Sequence, residues 1–419
     1  MRKLQITLLA LLVLFLLVVG LYLLPPINQR VYWRVDFALA YLRGVINPVS
    51  AIPTALPEQP ESNIIQPSLT PTASKIAAPS ETPAFTPTPG PTATAQPSPT
   101  PIPQTVSLAA PVWVKQDMNN CGPASLAMYL SYYGWQGDQY NISSLLKPRR
   151  QDRNVNVEEL VYYVRTRAGW LNAEYRVGGD LELLKRLVAA GIPVMVEESF
   201  YFEAPYWPND DLWAAHYFLV TGYDEIKQTF SGQDSYHGPE QQVPYETLDE
   251  YWQAFNRVYV LLYFPEQEDV VKSILGADWD PDVNRQNALE VARAETESQP
   301  QNAFAWFNLG TNLTYFEHYL EASEAYDVAR NLGLPQRMLR YQFGPFIAYF
   351  HSGKTDDLIT LADYALQRTP NAEEALLWRG WGYYRLGKTS EAMADFRQAM
   401  EENPYYQDAQ YALDFVREN

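Results

Sequence analysis

The sequence is poor in the residues that form disulfides and metal sites. It has one cysteine, Cys121, and four histidines among 419 residues. A single cysteine excludes an intrachain disulfide and any multi-cysteine zinc or iron–sulfur site. Four histidines are too few for a histidine-rich metal site. We therefore expect no bound metal and no other cofactor.

Basic residues are also scarce relative to acidic ones. The chain has 31 lysines and arginines against 49 aspartates and glutamates, which gives a formal net charge of −18. The acidic excess falls in residues 105–419, whereas residues 1–104 are slightly basic. Because nucleic-acid binding needs clustered cations that neutralise phosphates, this balance excludes a nucleic-acid partner.

One long stretch near the N-terminus has no charge at all. Residues 4–24 follow Arg2 and Lys3 and are mostly apolar. A helix of that length spans about 30 Å, the thickness of the hydrocarbon core of a bilayer. No motif of small residues marks a signal-peptidase site after it. We therefore predict an uncleaved membrane anchor over residues 1–26, although the flanking charges leave its orientation nearly tied.

Two segments connect this anchor to the rest of the chain. Residues 27–52 form a juxtamembrane segment of apolar residues and arginines, which is either interfacial or a loosely packed spacer. Residues 53–104 contain fourteen prolines, nine threonines and five serines, a composition that predicts a disordered, extended linker. At about 3.1 Å per residue this linker reaches ~150 Å from the membrane. A stalk of this kind suits an enzyme displayed outside the cell, so we expect the N-terminus to be cytoplasmic and the bulk extracytoplasmic.

Residues 105–264 mix helix and strand patterns. Amphipathic periodicity predicts helices over residues 123–133, 156–168 and 180–190. Apolar runs predict strands over residues 192–196, 217–221 and 258–264, with a hairpin partner for the second strand near residues 229–230. Since the helices come first and the strands later, we predict an α+β domain.

Residues 265–419 lose the strand patterns and instead repeat small and aromatic residues every 34 positions. The repeated positions are Trp306, Leu309, Gly310, Ala322, Tyr326 and Ala329 in one unit, Phe346, Tyr349, Gly353, Ala362, Ala365 and Pro370 in the next, and Gly380, Tyr383, Gly387, Ala392, Phe396, Ala399 and Pro404 in the third. Ala288, Ala292 and Pro300 fit half of an earlier, degenerate unit. This pattern resembles the tetratricopeptide repeat, an all-α solenoid, over residues 265–404, with a cap helix at residues 405–417.

The lone cysteine lies where a loop becomes a helix. Asn119 and Asn120 precede Cys121, and Gly122 and Pro123 shape the entry into the helix. The sulfur is then close to the unpaired backbone N–H groups and the positive end of the helix dipole, a placement that favours the thiolate nucleophile. The alternative is a small residue buried in the core, which is the commoner fate of a single cysteine.

A thiolate needs a base, and two histidines lie in the same domain. His216 opens an apolar strand, where its imidazole either binds a nearby carbonyl or faces a cleft, and His237 resembles a turn residue in solvent. Asp234 follows His216 by eighteen residues, and the hairpin return brings its carboxylate back toward the ring. Asp224, eight residues after His216, is the rival, and we favour Asp234.

These motifs together resemble a known family. Gln116 lies five residues before Cys121, which opens the run Cys-Gly-Pro-Ala-Ser-Leu-Ala-Met, and His216 opens the run His-Tyr-Phe-Leu-Val-Thr-Gly-Tyr-Asp. The region resembles the papain-like cysteine peptidases related to the double-glycine leader peptidases of bacteriocin exporters. The resemblance implies that Cys121 is the nucleophile, His216 the general base, Asp234 the residue that orients the base, and Gln116 part of the oxyanion hole.

The sequence departs from that family in two respects. The exporters continue into a membrane transporter and an ATP-binding cassette, and this chain has neither after residue 264, so leader cleavage during export is not carried over. The aspartate of the family is often followed by proline, whereas Ser235 follows Asp234 here.

We therefore expect a membrane-anchored, extracytoplasmic cysteine peptidase that hydrolyses a peptide or protein. The repeats would dock the substrate or a protein partner on their concave face. A catalytically silent binding module that acts through its repeats is the alternative, and transfer of the acyl group to an amine instead of water is another. Because the apolar residues at helical spacing in residues 270–276, and Trp279 after them, need a surface to bury against, we also expect the repeats to pack on the catalytic domain as one rigid unit.

Overall fold

We analysed a computed structural model of the full chain. It describes Gln5, residues 11–14, 16–17, 20, 25–48, 50–57 and 102–418. Within those residues, no helix combines the length and the apolar character needed to cross a bilayer. The predicted anchor, residues 1–26, lies largely outside the described residues and stays a prediction.

The first folded part is built around one antiparallel sheet of seven strands. The strands are β1 (Thr105–Ser107), β2 (Asn172–Arg176), β3 (Val194–Tyr201), β4 (Trp213–Asp224), β5 (Thr229–Asp234), β6 (Gly238–Pro244) and β7 (Tyr259–Tyr263). Six of them follow the order β2-β7-β3-β4-β5-β6, and β1 pairs with the far end of β4. The central strands β3, β4 and β7 are almost wholly buried.

Helices cover this sheet, and the chain enters most of them through polar caps. They are α2 (Cys121–Tyr132), α3 (Gln139–Leu146), α4 (Val157–Arg167), α5 (Leu181–Ala189) and α6 (Tyr245–Gln253), after α1 (Pro25–Ile46) near the N-terminus. Asp138, Asn156 and Asp180 accept hydrogen bonds from the first turns of α3, α4 and α5. The α+β architecture matches the prediction.

The sequence patterns located the buried elements and missed the polar ones. The predicted helices over residues 156–168 and 180–190 and the predicted hairpin are present within a few residues. Strands β2 and β6 were not predicted, because Asn172–Arg176 and Gly238–Pro244 are largely polar and half-exposed. These two strands form because they pair with β7 and β5. Their own sequences have no apolar periodicity that would predict a strand.

The second folded part consists of helix pairs. These are α7 (Glu268–Leu275), α8 (Pro281–Ser298), α9 (Ala303–Tyr315), α10 (Tyr319–Leu332), α11 (Gly344–Ser352), α12 (Thr355–Arg368), α13 (Glu373–Arg385), α14 (Thr389–Glu402) and α15 (Gln407–Glu418), with a 3-10 turn at Met338–Arg340. Glycines stand where helices cross. A Cβ atom on Gly380 would lie 2.4 Å from the Phe396 ring, and one on Gly310 would lie 2.8 Å from Tyr326. The predicted pairing of small and aromatic residues is therefore present.

The two folded parts pack directly on each other. Asn256 of the first part and Asn312 of α9 exchange side-chain hydrogen bonds in a buried position. The Trp213 ring, at the start of β4, stacks on Phe304 of α9 at 6.5 Å between centroids. Arg337 donates to the carbonyl of Trp213 at 2.8 Å. Direct contact agrees with the sequence prediction, and rigidity in solution stays a prediction.

Residues at the start of the proline-rich segment and just before it also bind to the repeats, which the sequence did not indicate. The guanidinium of Arg330 donates to the carbonyls of Pro53 and Thr54 at 2.9 and 2.8 Å, and the hydroxyl of Tyr364 donates to the carbonyl of Ser50 at 2.9 Å. Ile52 is buried.

These contacts involve the first residues of the predicted linker, residues 53–104. Residues 53–57 and 102–104 are described, and residues 58–101 lie outside the described residues. Residues 105–107 pair with β4. The reach of the linker and the distance that it sets between the anchor and the folded parts stay predictions.

Candidate active site

The lone cysteine is the first residue of α2. The sequence pattern predicts that this helix begins two residues later, at residue 123. Asn120 precedes it and makes no side-chain cap on the helix. The first backbone N–H groups of α2 therefore stay available beside the sulfur, which is half-buried. This arrangement gives the thiol of Cys121 neighbouring N–H donors aimed at whatever binds there.

Two side chains that the sequence analysis missed hold the loop before the cysteine. The amide of Gln139 accepts from the backbone N–H of Asp117 and from the side chain of Asn120, at 2.8 and 2.6 Å. The buried ammonium of Lys147 donates to the carbonyl of Asn119 at 2.6 Å. Asn119 has φ of 53°, a left-handed conformation that asparagine tolerates. The loop is thus fixed by residues 20 to 30 positions away in the sequence.

Close packing of α2 on β4 brings the cysteine to the histidine. A Cβ atom on Gly122 would lie 3.2 Å from the ring of Tyr217, so only a very small residue fits there comfortably. The hydroxyl of Ser125 donates to the carbonyl of Tyr217 at 3.2 Å. Because Tyr217 directly follows His216, these contacts place the first turn of α2 beside the imidazole.

His216 and Asp234 form a buried pair on neighbouring strands. The Nε2 atom of His216 lies 2.9 Å from Oδ1 of Asp234, and the two residues are 3% and 5% exposed. His216 is the fourth residue of β4, whereas the sequence placed it at the start. Since Nε2 faces the carboxylate, Nδ1 is the nitrogen left to exchange a proton with Cys121.

The second histidine has a partner that the sequence did not predict. His237 was expected to be a turn residue in solvent, and its side chain is indeed 44% exposed. Its Nδ1 atom nevertheless lies 2.9 Å from Oδ2 of Asp234, and its backbone N–H donates to Oδ1 at 2.8 Å. The carboxylate of Asp234 is therefore held from both sides.

The charges of the pair reinforce each other. Burial by itself would lower the pKa of His216, but the charge and hydrogen bond of Asp234, together with a side-chain hydrogen bond to Cys121, raise it to about 10. Burial would raise the pKa of Asp234, yet His216 and His237 hold it well below its usual range. These directions favour an imidazolium next to a carboxylate, with Cys121 close enough to contribute to the raised pKa of His216.

The glutamine upstream of the cysteine is oriented by Ser235. The hydroxyl of Ser235 donates to Oε1 of Gln116 at 2.9 Å, and the backbone N–H of Gln116 donates to the carbonyl of Ser235 at the same distance. With Oε1 engaged, the NH₂ end of the amide is the end that can donate to an oxyanion. The serine that departs from the family pattern therefore has a contact of its own, across more than a hundred residues of sequence.

The rival carboxylate lies elsewhere. Asp224 is at the far end of β4, where it accepts from the backbone N–H groups of Ile226 and Lys227 in the turn. A different acid stands beside His216, because the register of β3 and β4 places Glu198 directly opposite it. Burial raises the pKa of Glu198 to about 8. The described residues contain no group of three histidine, cysteine or acidic side chains arranged to hold a metal ion.

The fold is a mixed α/β domain with an antiparallel sheet, attached to a helical repeat array. Residues 101–260 match the model of the Peptidase_C39 like family, and residues 373–406 match that of the tetratricopeptide repeat. The resemblance predicted from the sequence is therefore confirmed: a C39-like domain is fused to tetratricopeptide repeats. No curated protein matches the chain significantly.

Several solved structures are similar to parts of the chain. A C39-like peptidase from Bacillus anthracis is 19% identical over 38% of this chain and 98% of its own, with a TM-score of 0.31. The peptidase domain of Streptococcus ComA, a bi-functional ABC transporter involved in quorum sensing, is 15% identical over 37% of this chain and 98% of its own, with a TM-score of 0.28. YrrB, a tetratricopeptide-repeat protein with an unusual peptide-binding site, is 19% identical over 32% of this chain and 68% of its own, with a TM-score of 0.28.

Proposed function

We propose that the chain is a cysteine peptidase that cleaves peptide or protein substrates with Cys121, His216 and Asp234. The observation that carries the proposal is the His216 imidazole, which lies 2.9 Å from Asp234 and whose pKa is raised by Asp234 and by the nearby Cys121. A protein that only binds a ligand does not need a thiol, a base and an acid arranged in this way.

The reaction follows from these contacts. The thiolate of Cys121 attacks the carbonyl carbon of the scissile amide, and the amide NH₂ of Gln116 and the N–H of Cys121 stabilise the oxyanion. The imidazolium of His216 donates its proton to the leaving amine, which departs and leaves a thioester on Cys121. His216 then takes a proton from water, the hydroxide attacks the thioester, and the released acid regenerates the thiolate.

We propose that the enzyme is bound to a membrane and faces outward. The charge-free residues 4–24 support an anchor. Helix α1, which follows, exposes Leu39, Tyr41, Leu42 and Val45 to solvent, each about half accessible. Apolar side chains exposed along one helix are typical of a helix that lies at a membrane interface. The repeats then present a surface for peptides or proteins, which is what solenoids of helix pairs commonly bind.

The test is labelling and turnover with the full-length chain. Because Cys121 is the only cysteine, an alkylating activity probe reports on that thiol alone. We expect the wild type to be labelled and to cleave members of a peptide library, which mass spectrometry detects as new amino termini. His216→Gln should lose labelling at neutral pH and turnover, and Cys121→Ala should lose both. Each variant should keep the circular dichroism of the wild type.

Labelling without any cleavage would favour the silent binding module. Transfer of the acyl group to an added amine peptide in preference to water, detected by mass spectrometry as a ligated product, would favour acyl transfer.

A further inference from the structure

The repeats place one arginine in an unusual environment. Arg340 ends the 3-10 turn at Met338–Arg340 between α10 and α11, and it is only 7% exposed. Its Nε and Nη2 atoms are buried and have no hydrogen-bond partner among the described residues. These two nitrogens form one edge of the guanidinium, the edge that receives both oxygens of a carboxylate in a bidentate pair.

The surroundings of Arg340 are positively charged. Burial lowers the pKa of Arg340 well below its usual value, and the nearby charges of Arg153 and Arg337 lower it further. The charge of Asp210 raises the pKa of Arg340, but Asp210 and Asp211 form salt bridges with Arg337 at 2.6 and 3.4 Å. Within the described part of the chain, no carboxylate makes an ion pair with Arg340. Arg340 is thus a buried cation without an ion-pair partner among the described residues, in a protein with a net charge of −18.

Aromatic rings connect Arg340 and Arg337 to the candidate active site. The Arg340 guanidinium is 5.3 Å from the Trp207 ring, and Arg337 is 4.1 Å from the same ring and 5.2 Å from Phe202. A row of touching rings continues to the catalytic histidine.

The row of rings continues from Phe202 to His216. The Phe202 ring lies 5.1 Å from Phe200, and Phe200 lies 5.2 Å from His216. Burial raises the pKa of Tyr341, the residue after Arg340, and the charges of Arg340 and of Cys121 also act on it. The guanidinium of Arg340 is thus linked to the imidazole of His216 by a short row of aromatic rings.

We propose that Arg340 binds a carboxylate of the substrate, supported by Arg337 and Arg153, so that the repeats supply a specificity-determining residue to the peptidase site. This inference rests on the proposed peptidase function. An unpaired buried guanidinium is unfavourable, and an incoming carboxylate would satisfy two of its N–H groups at once. The carboxylate comes from an aspartate or glutamate side chain or from a free C-terminus.

The test measures binding without turnover, in the full-length Cys121→Ala chain. The probes are N-acetylated pentapeptides with one glutamate at varied positions, each paired with its glutamine counterpart, and a second set with a free or an amidated C-terminus. Fluorescence anisotropy gives the affinities. We expect the best carboxylate peptide to bind at least about tenfold more tightly than its uncharged partner, as a buried charged hydrogen bond requires. The set in which the difference appears identifies the source of the carboxylate.

Two variants separate a binding role from a structural one. Arg340→Met should abolish the discrimination, and it should leave the melting temperature unchanged or raise it, because an unpaired buried charge is removed. Arg340→Lys should reduce the discrimination, since an ammonium cannot pair with both oxygens. The exposed Arg186 is the matched control, and Arg186→Met should change nothing.

Several results would overturn the proposal. Equal binding of charged and uncharged peptides, absence of binding to every peptide, or discrimination that survives Arg340→Met would each do so. Tighter binding of a phosphoserine peptide than of its glutamate counterpart would reassign the site to phosphate. Because the Cys121→Ala chain does not turn over, a carboxylate preference seen with an inactive wild type would count against the peptidase and not against Arg340.

Discussion

The pKa of His216 is the property on which the proposed chemistry depends, and one substitution isolates it. Asp234→Asn removes the charge that helps to raise this pKa to about 10, and it leaves burial, which lowers it, and Cys121, which raises it. We therefore expect the pKa of His216 to fall. The net rise from the ordinary value near 6.5 is about three and a half units, or roughly 5 kcal/mol, and Asp234 and Cys121 share it.

The sign of the effect on stability follows from the direction of each shift. The raised pKa of His216 stabilises the fold fully below about pH 6.5, and this contribution is lost as the pH rises through about 10. The lowered pKa of Asp234 stabilises the fold above about pH 3.8, and this contribution is lost as the pH falls through the folded value. The melting temperature of the wild type should thus decline from pH 7 to pH 10, and Asp234→Asn should remove that part of the decline.

The assay is NMR of histidine labelled at Cε1. The chain has four histidines, and His216→Gln identifies the signal of interest. Asp224→Asn is the matched control, because Asp224 binds only its own turn and Lys227. We expect His216 to titrate near pH 10 in the wild type and in the control, and at a clearly lower pH in Asp234→Asn. Titration of wild-type His216 near pH 6.5 would show that the pair does not hold an imidazolium, and the proposed ion-paired site would be wrong.

Two further substitutions probe contacts that the sequence did not reveal. Ser235→Ala removes the hydrogen bond that orients Gln116, so kcat on a cleaved peptide should fall between about tenfold and 100-fold with KM little changed; Ser298→Ala, on an exposed helix face, should leave kcat unchanged. Arg330→Met removes the buried ion pair with Asp357 and should lower the free energy of unfolding, measured with urea, by about 3 kcal/mol. A wild-type kcat in the first variant, or an unchanged unfolding midpoint in the second, would contradict these assignments.

The sequence predicts the site well where its residues belong to one local pattern. Cys121 stands at a loop-to-helix junction, and His216 stands in an apolar run, so both could be assigned a place before the structure was known. Asp234 could be favoured over Asp224 because a hairpin return brings it back beside His216, and the strands pair in that way.

The sequence fails where a contact joins distant segments. Gln139 and Ser235 have no local pattern that sets them apart, and only the folded chain brings them to the loop before Cys121 and to Gln116. Strand β6 is ordered by its partner strand and not by its own propensity. The environment of Arg340 could not be predicted either, because the repeat pattern does not show which residues outside the repeats lie near it.

The contacts of residues 50–55 change what cleavage of the proline-rich segment should do. A free stalk, once cut, releases everything that follows it. Here, however, Arg330 and Tyr364 bind backbone carbonyls of residues 50–55, and Ile52 is 4% exposed within the core of the repeats. Because carbonyl contacts do not depend on side-chain identity, they hold this segment in a defined path despite its proline-rich composition.

We therefore predict that a protease that cuts within residues 58–101 leaves the two pieces associated. Denaturing gels should show two fragments, whereas size-exclusion chromatography under native conditions should show one species, and on intact cells the cut enzyme should stay on the membrane. Ile52→Asp puts a charge into the buried contact and should let the pieces separate after the same cut. If the uncut Ile52→Asp chain keeps the far-ultraviolet circular dichroism of the wild type, the variant reports on the docked segment alone. Release of the wild-type C-terminal piece under native conditions would show that residues 50–55 do not hold the anchor to the repeats, and the catalytic unit would then be tethered only through the linker.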